Sequence, residues 1–105
     1  MSISANELVD EMRARAGDLK SLNARVRFAL GDEGEIWLDA TGGAVKVSAD
    51  APPSDEPDCT LRLSADNLAK LMQGKLNPML AFSLGKLKVD GSKGVAMKLA
   101  GLLDA

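Results

Sequence analysis

The chain has 105 residues, 46% of them apolar and 27% charged, with a formal net charge of −2. That length builds one hydrophobic core and is too short for two domains, so residues 1–105 are read as a single domain. There is no histidine and one cysteine, which removes Ser-His and Cys-His nucleophile pairs, an internal disulfide and any His/Cys metal set.

Ser4-Ala5-Asn6-Glu7 is a capping box, and Leu8, Met12 and Ala16 follow at a spacing of four, which predicts an amphipathic helix over 5–16. Gly17-Asp18 is its stop, with Leu19 and Leu22 carrying the packing through another turn. Arg25 to Leu30 and Glu35 to Ala40 both alternate apolar with polar residues and are joined by four polar positions, the pattern of a β-hairpin. Gly42-Gly43 then turns the chain into a third strand, Ala44 to Ser48. In the second strand Ile36, Leu38 and Ala40 share one face, which leaves Trp37 on the other with Glu35 and Asp39, partly exposed, or under a loop or a partner chain.

Residues 49–58 hold three prolines and four acidic residues and are expected to be a crossover loop. Cys59 to Leu63 is a fourth strand with Cys59, Leu61 and Leu63 inward. Ser64 caps a helix over 65–73 that presents Leu68, Leu71 and Met72 on one side and stops at Gly74. Asn77-Pro78 starts another helix, because Asn accepts from first-turn amides and Pro at the first position gives up a donor that has no partner there. This helix is apolar on most sides through Met79, Leu80, Phe82 and Leu84 and ends at Gly85. Lys86 to Val89 alternates as a fifth strand, Asp90-Gly91 is expected to turn, and Ser92 caps a last helix over 93–103 that is apolar almost all round except at Lys98. Such a helix needs cover on nearly every side.

Residues 1–58 carry twelve acidic and six basic side chains, whereas residues 59–105 carry seven basic and three acidic. Lys70, Lys75, Lys86, Lys88, Lys93 and Lys98 read first as solvated faces, and second as a rim that attracts anionic head groups, carboxylates or a coenzyme A phosphate. Asp32, Glu33 and Glu35 lack the pattern of a calcium loop and are read as turn charges. Cys59 in a buried strand is read as a small apolar residue. Phosphate-binding glycine motifs are absent, and three aromatic residues with a pI near 5.0 argue against nucleic acid as a partner. No enzyme activity and no cofactor is expected. With no apolar run long enough to cross a membrane and no basic-then-apolar leader, a cytoplasmic place, in a bacterium, is expected.

Four separated blocks agree in order and spacing with one known family: Gly74-Lys75-Leu76-Asn77-Pro78-Met79, Ala81-Phe82, Gly85-Lys86-Leu87-Lys88-Val89-Asp90-Gly91 and Gly94-Val95-Ala96-Met97-Lys98-Leu99. Together with Asp58-Cys59-Thr60-Leu61 upstream, they resemble the signature of the sterol carrier protein 2 family of lipid-binding domains. Ala100 departs from it, standing where many relatives carry glutamine. The resemblance implies an α+β fold, a five-stranded sheet of order 3-2-1-4-5 with helices over one face. It also implies an apolar tunnel between sheet and helices, lined by Leu38, Leu63, Leu68, Leu71, Met72, Met79, Leu80, Phe82, Leu84, Val95, Met97 and Leu102. Periodicity alone favours a plain packed core for these residues. The ligands implied are a fatty acid, acyl-CoA, a phospholipid or a sterol-like molecule, with transient contact to an anionic membrane. The alternative is a non-catalytic accessory module that supports quinone or lipid biosynthesis enzymes. At Trp37 a lone exposed aromatic is the preferred reading, a homodimer contact the second.

Overall fold

The computed structural model describes residues 4–42, 44–49 and 56–103. The second glycine of the Gly42-Gly43 turn and most of the expected crossover loop lie outside them. The helices are α1 (Ala5–Ala14), α2 (Ala16–Leu19), α3 (Ala65–Met72), α4 (Pro78–Ser83) and α5 (Lys93–Leu103). The strands are β1 (Arg25–Ala29), β2 (Glu35–Asp39), β3 (Lys46–Ser48), β4 (Cys59–Arg62) and β5 (Lys88–Gly91). They form one sheet in the order β3-β2-β1-β4-β5, parallel between β1 and β4 and antiparallel elsewhere.

Strand alternation sets which face is covered. One row across the sheet runs Val47, Leu38, Val26, Cys59, and the next runs Ile36, Phe28, Leu61, Val89. All of these are buried except the half-buried Val89. They meet Leu8, Val9 and Met12 of α1, Leu19 and Leu22 beyond it, Leu68, Leu71 and Met72 of α3, and Leu99 of α5 in one core. The opposite face carries paired charges: Arg25 with Asp39 at 3.3 Å, Arg27 with Glu35 at 3.0 Å and Arg62 with Asp90 at 2.6 Å. These pairs are solvated and each contributes at most about 1 kcal/mol. Trp37 lies on this same face, half-buried, with the Arg27 guanidinium 5.8 Å from its ring centre.

Helix ends follow the local chemistry of the chain. Ser4, Ser64 and Ser92 each accept from the backbone N–H three residues on, and the Asn77 carboxamide accepts from both Met79 N–H and Leu80 N–H. Both α3 and α4 close in a Schellman motif. Lys75 N–H reaches Lys70 C=O and Gly74 N–H reaches Leu71 C=O; Lys86 N–H reaches Ala81 C=O and Gly85 N–H reaches Phe82 C=O. Gly74 and Gly85 take the left-handed backbone that this requires, with φ of 71° and 76°. Long side chains tie the layers together. Arg13 donates twice to Val47 C=O on edge strand β3, and Arg15 donates to Met72 C=O at the end of α3.

Three boundaries depart from the sequence reading. The first helix breaks at Arg15, whose N–H turns back to Met12 C=O, so the expected span 5–16 becomes α1 and the short α2. The third strand is shorter than expected, Lys46–Ser48 in place of 44–48. The fifth strand is displaced: Asp90 and Gly91 do not turn but pair with Thr60 and Cys59, and the strand begins only at Lys88. Gly91 is held at φ 89°, and a Cβ there would sit 2.6 Å from Asp58 C=O. Glycine is therefore needed for close approach to β4, not for reversal.

Candidate functional site

Helix α4 is six residues long and buries a single one of them, Ala81. Its flanks, half-buried Leu76 and buried Leu87, complete its hold on the core. Met79, Leu80, Phe82 and Leu84 point outward, exposed between 47% for Phe82 and 60% for Met79. The neighbouring α5 buries Ala96, Leu99 and Ala100, half-buries Val95 and Leu102, and turns Met97 out at 49% exposure. Since α4 packs against α5, these five large side chains lie on two adjoining helices and, for Leu84, on the C-cap of the first. Single exposed apolar side chains are ordinary, whereas five large ones on two packed helices make this the candidate site.

The twelve residues expected to line a tunnel therefore fall in three environments. Leu38, Leu63, Leu68, Leu71 and Met72 are buried, Val95 and Leu102 are half-buried, and Met79, Leu80, Phe82, Leu84 and Met97 are exposed. The buried members of α3 form the floor next to α5, which packs on both α3 and β4. Leu99, Leu87 and Ala81 were not singled out from the sequence, yet they anchor the two outer helices. The spacing of Ala96, Leu99 and Ala100 on one side of α5 is the signal that would have found part of this seam.

An open groove of about 800 Å³ lies elsewhere among the described residues, at the C-terminal ends of the parallel strands β1 and β4. Arg27, Asp32, Glu33, Glu35, Arg62 and Asp66 contribute charge to its wall, and Leu63 is the one residue of the twelve that reaches it. Arg27 and Arg62 are already engaged by Glu35 and Asp90. A wall carrying this much charge of both signs suits water better than a hydrocarbon chain.

Two titrations depart from the ordinary. Burial, helped by the adjacent Asp58 carboxylate, pushes the Cys59 thiol up to about 11, so it stays protonated and a poor nucleophile at neutral pH. Asp39 is held below the usual carboxylate range because Thr41 donates to it from both hydroxyl and N–H, with Arg25 adding to the effect.

The sequence profile of the SCP-2 sterol transfer family matches residues 5–104. The chain belongs to that family. Sterol carrier protein 2 of Bos taurus is 50% identical over 80 residues, which cover 74% of this chain and 14% of the relative. Hydroxysteroid dehydrogenase-like protein 2 of Bos taurus is 36% identical over 90 residues, covering 82% of this chain and 21% of the relative. The chain thus spans between a seventh and about a fifth of the length of these curated relatives. Among solved structures, apo sterol carrier protein 2 from Yarrowia lipolytica superposes with a TM-score of 0.72 at 30% identity, covering 91% of this chain and 86% of that one. SCP-2 domains are lipid and sterol carriers, and α4 and α5 are where this member turns its apolar side chains outward.

Proposed function

We propose that this chain carries a lipid with a long alkyl tail, held between α4–α5 and the floor formed by Leu68, Leu71 and Met72. The observation that supports this reading is the outward set Met79, Leu80, Phe82, Leu84 and Met97 on α4 and the adjoining α5, of which α4 is only lightly anchored. A six-residue helix has no stability of its own and depends on its packing, which here amounts to one buried alanine and two flanking leucines. Gly74 and Gly85, both at positive φ, bracket α4 and are natural points for it to swing. Lifting α4 costs little core and lets its apolar side chains close over a guest.

Each methylene taken out of water contributes about 0.8 kcal/mol, so enclosing on the order of ten yields roughly 8 kcal/mol before ordering costs are subtracted. That is compatible with micromolar affinity. Unbranched Met72, Met79 and Met97 re-pack around tails of different shape, so affinity is expected to follow tail length more than head group. Fatty acid, acyl-CoA, phospholipid and sterol-like ligands all belong to this reading.

The test is titration of delipidated protein with a fluorescent long-chain fatty acid, together with mass spectrometry of lipid extracted from the protein as purified. Saturable micromolar binding is expected, weakened about tenfold or more in Leu80→Asp and Met97→Asp, which alter exposed positions. No saturable binding and no extracted lipid would remove the reading. Co-purification with biosynthetic enzymes would then favour the accessory module.

A further inference from the structure

The sulfur atoms of the chain are divided between its core and its candidate site. Among the described residues, Met12 and Met72 are buried, whereas Met79 is 60% exposed and Met97 49%. Both exposed thioethers belong to the outward apolar set, Met79 in the first turn of α4 and Met97 near the middle of α5. The one thiol, Cys59, is buried in β4 and stays protonated at neutral pH, so it lacks both the access and the thiolate character that oxidation requires. Among the described residues, the sulfur that a peroxide reaches in the folded protein is therefore that of Met79 and Met97. Chemically reactive sulfur and the outward apolar face coincide.

We propose that Met79 and Met97 form a modification site at which hydrogen peroxide oxidises both thioethers to sulfoxides, so that the protein loses its hold on lipid while it stays folded. The inference rests on reading α4–α5 as the cover of the lipid site, and it adds a chemical control on that cover. A sulfur lone pair attacks one peroxide oxygen; the S–O bond forms, the O–O bond breaks, and the departing hydroxide takes the proton of the transferred hydroxyl and leaves as water. Sulfur gives up two electrons and the peroxide accepts them, so no further reagent is needed. The sulfoxide oxygen is a hydrogen-bond acceptor that water satisfies at an exposed position and a hydrocarbon tail does not. Closing α4 and α5 over a tail then buries an unpaired polar group. Met12 and Met72 are shielded by the fold, so the core keeps its packing, and thiol-dependent reduction of the sulfoxides returns the apolar side chains.

The test is brief treatment of the whole, delipidated chain with dilute hydrogen peroxide, followed by peptide mass mapping and titration with a fluorescent long-chain fatty acid. One added oxygen is expected on Met79 and on Met97 well before Met12 or Met72 is touched. Fatty-acid affinity should then be weaker by about tenfold or more, with the urea midpoint unchanged, and should return after incubation with methionine sulfoxide reductase and a thiol reductant. The double substitution Met79→Leu, Met97→Leu, compared with itself before and after peroxide, should show no such fall. Oxidation of Met12 or Met72 as fast as Met79 and Met97, full affinity in protein oxidised at both exposed sulfurs, or an equal loss in the double variant would each overturn the proposal. Untreated protein that binds no fatty acid defeats the carrier reading and the control with it, whereas untreated and oxidised protein that bind equally well defeat the control alone.

Discussion

The two phenylalanines of this chain sit in opposite halves of one architecture. Phe28, in the middle of β1, is fully buried between Ile36 and Leu61, whereas Phe82 on α4 is 47% exposed next to Leu84 and Leu80. The first belongs to a region where sheet, α1 and α3 interlock and every large apolar side chain has found a neighbour. The second belongs to a region that is more apolar in sequence and less buried in space. Apolar content alone does not make a core. A strand divides its residues between two faces, and the packed face here is matched by α1, α3 and one side of α5. Helix α4 and its C-cap Leu84 spread four large side chains round the helix axis, and only the small Ala81 is turned fully inward.

The sharpest way to break this contrast is to truncate both rings. Phe28→Ala is expected to cost about 3–5 kcal/mol by urea denaturation, since it leaves a cavity in a close-packed layer. Phe82→Ala should stay within roughly 0.5 kcal/mol of the parent, as exposed substitutions do, while fatty-acid binding falls. A Phe82→Ala variant as unstable as Phe28→Ala would mean that α4 is structural and that the exposed face has no separate role.

A smaller effect is expected where the two regions meet. Asp58 links β1 to the start of α5: its carboxylate accepts from Arg25 N–H at 2.8 Å and its C=O from Ser92 N–H at 2.9 Å. Gly91 lies against that same C=O at φ 89°. Gly91→Ala should cost about 1–3 kcal/mol through backbone strain, with further loss from the close contact, and should increase amide exchange in β5 and the first turn of α5. Unchanged exchange there would show that α5 is seated by its Ala96-Leu99-Ala100 side alone.

The junction also shows what could be read in advance. Strand alternation at Val26, Phe28, Ile36 and Leu38, and the side-chain caps at Ser4, Ser64, Asn77 and Ser92, are local properties, so the sheet face and helix starts were legible from residue type and spacing. Asp90-Gly91 is a favoured turn pair, yet it lies in β5, because the need for glycine comes from Asp58, distant in the chain. The candidate site was legible in composition but not in orientation. Periodicity places Leu68, Leu71 and Met72 on one side of α3, but a stretch apolar all round its axis, as at Met79 to Leu84, carries no periodic signal for which side faces inward. That choice is made by tertiary packing around Ala81 and Leu87.

The smallest effect concerns the solvated face of the sheet and is a matter of pH. Asp39 accepts from the Thr41 hydroxyl, from Thr41 N–H at 2.9 Å and from Arg25, and its carboxyl is thereby held below the ordinary value of about 3.9. As pH falls, the unfolded chain takes up this proton before the folded one does, so the unfolded state gains and stability declines. The contribution of Asp39 is thus complete above the ordinary carboxylate range and is lost as pH drops through the lowered folded value. The group is partly exposed and screened, so the contribution is modest. Asp39→Asn should leave a urea midpoint that is slightly lower at neutral pH and falls less steeply below pH of about 4, while fatty-acid binding at neutral pH is unaltered. An acid slope identical to that of the parent would show that these hydrogen bonds are replaced by water without loss. A change in lipid affinity would show that the sheet's outer face and the α4–α5 cover are coupled, against the division into a sealed region and an open one.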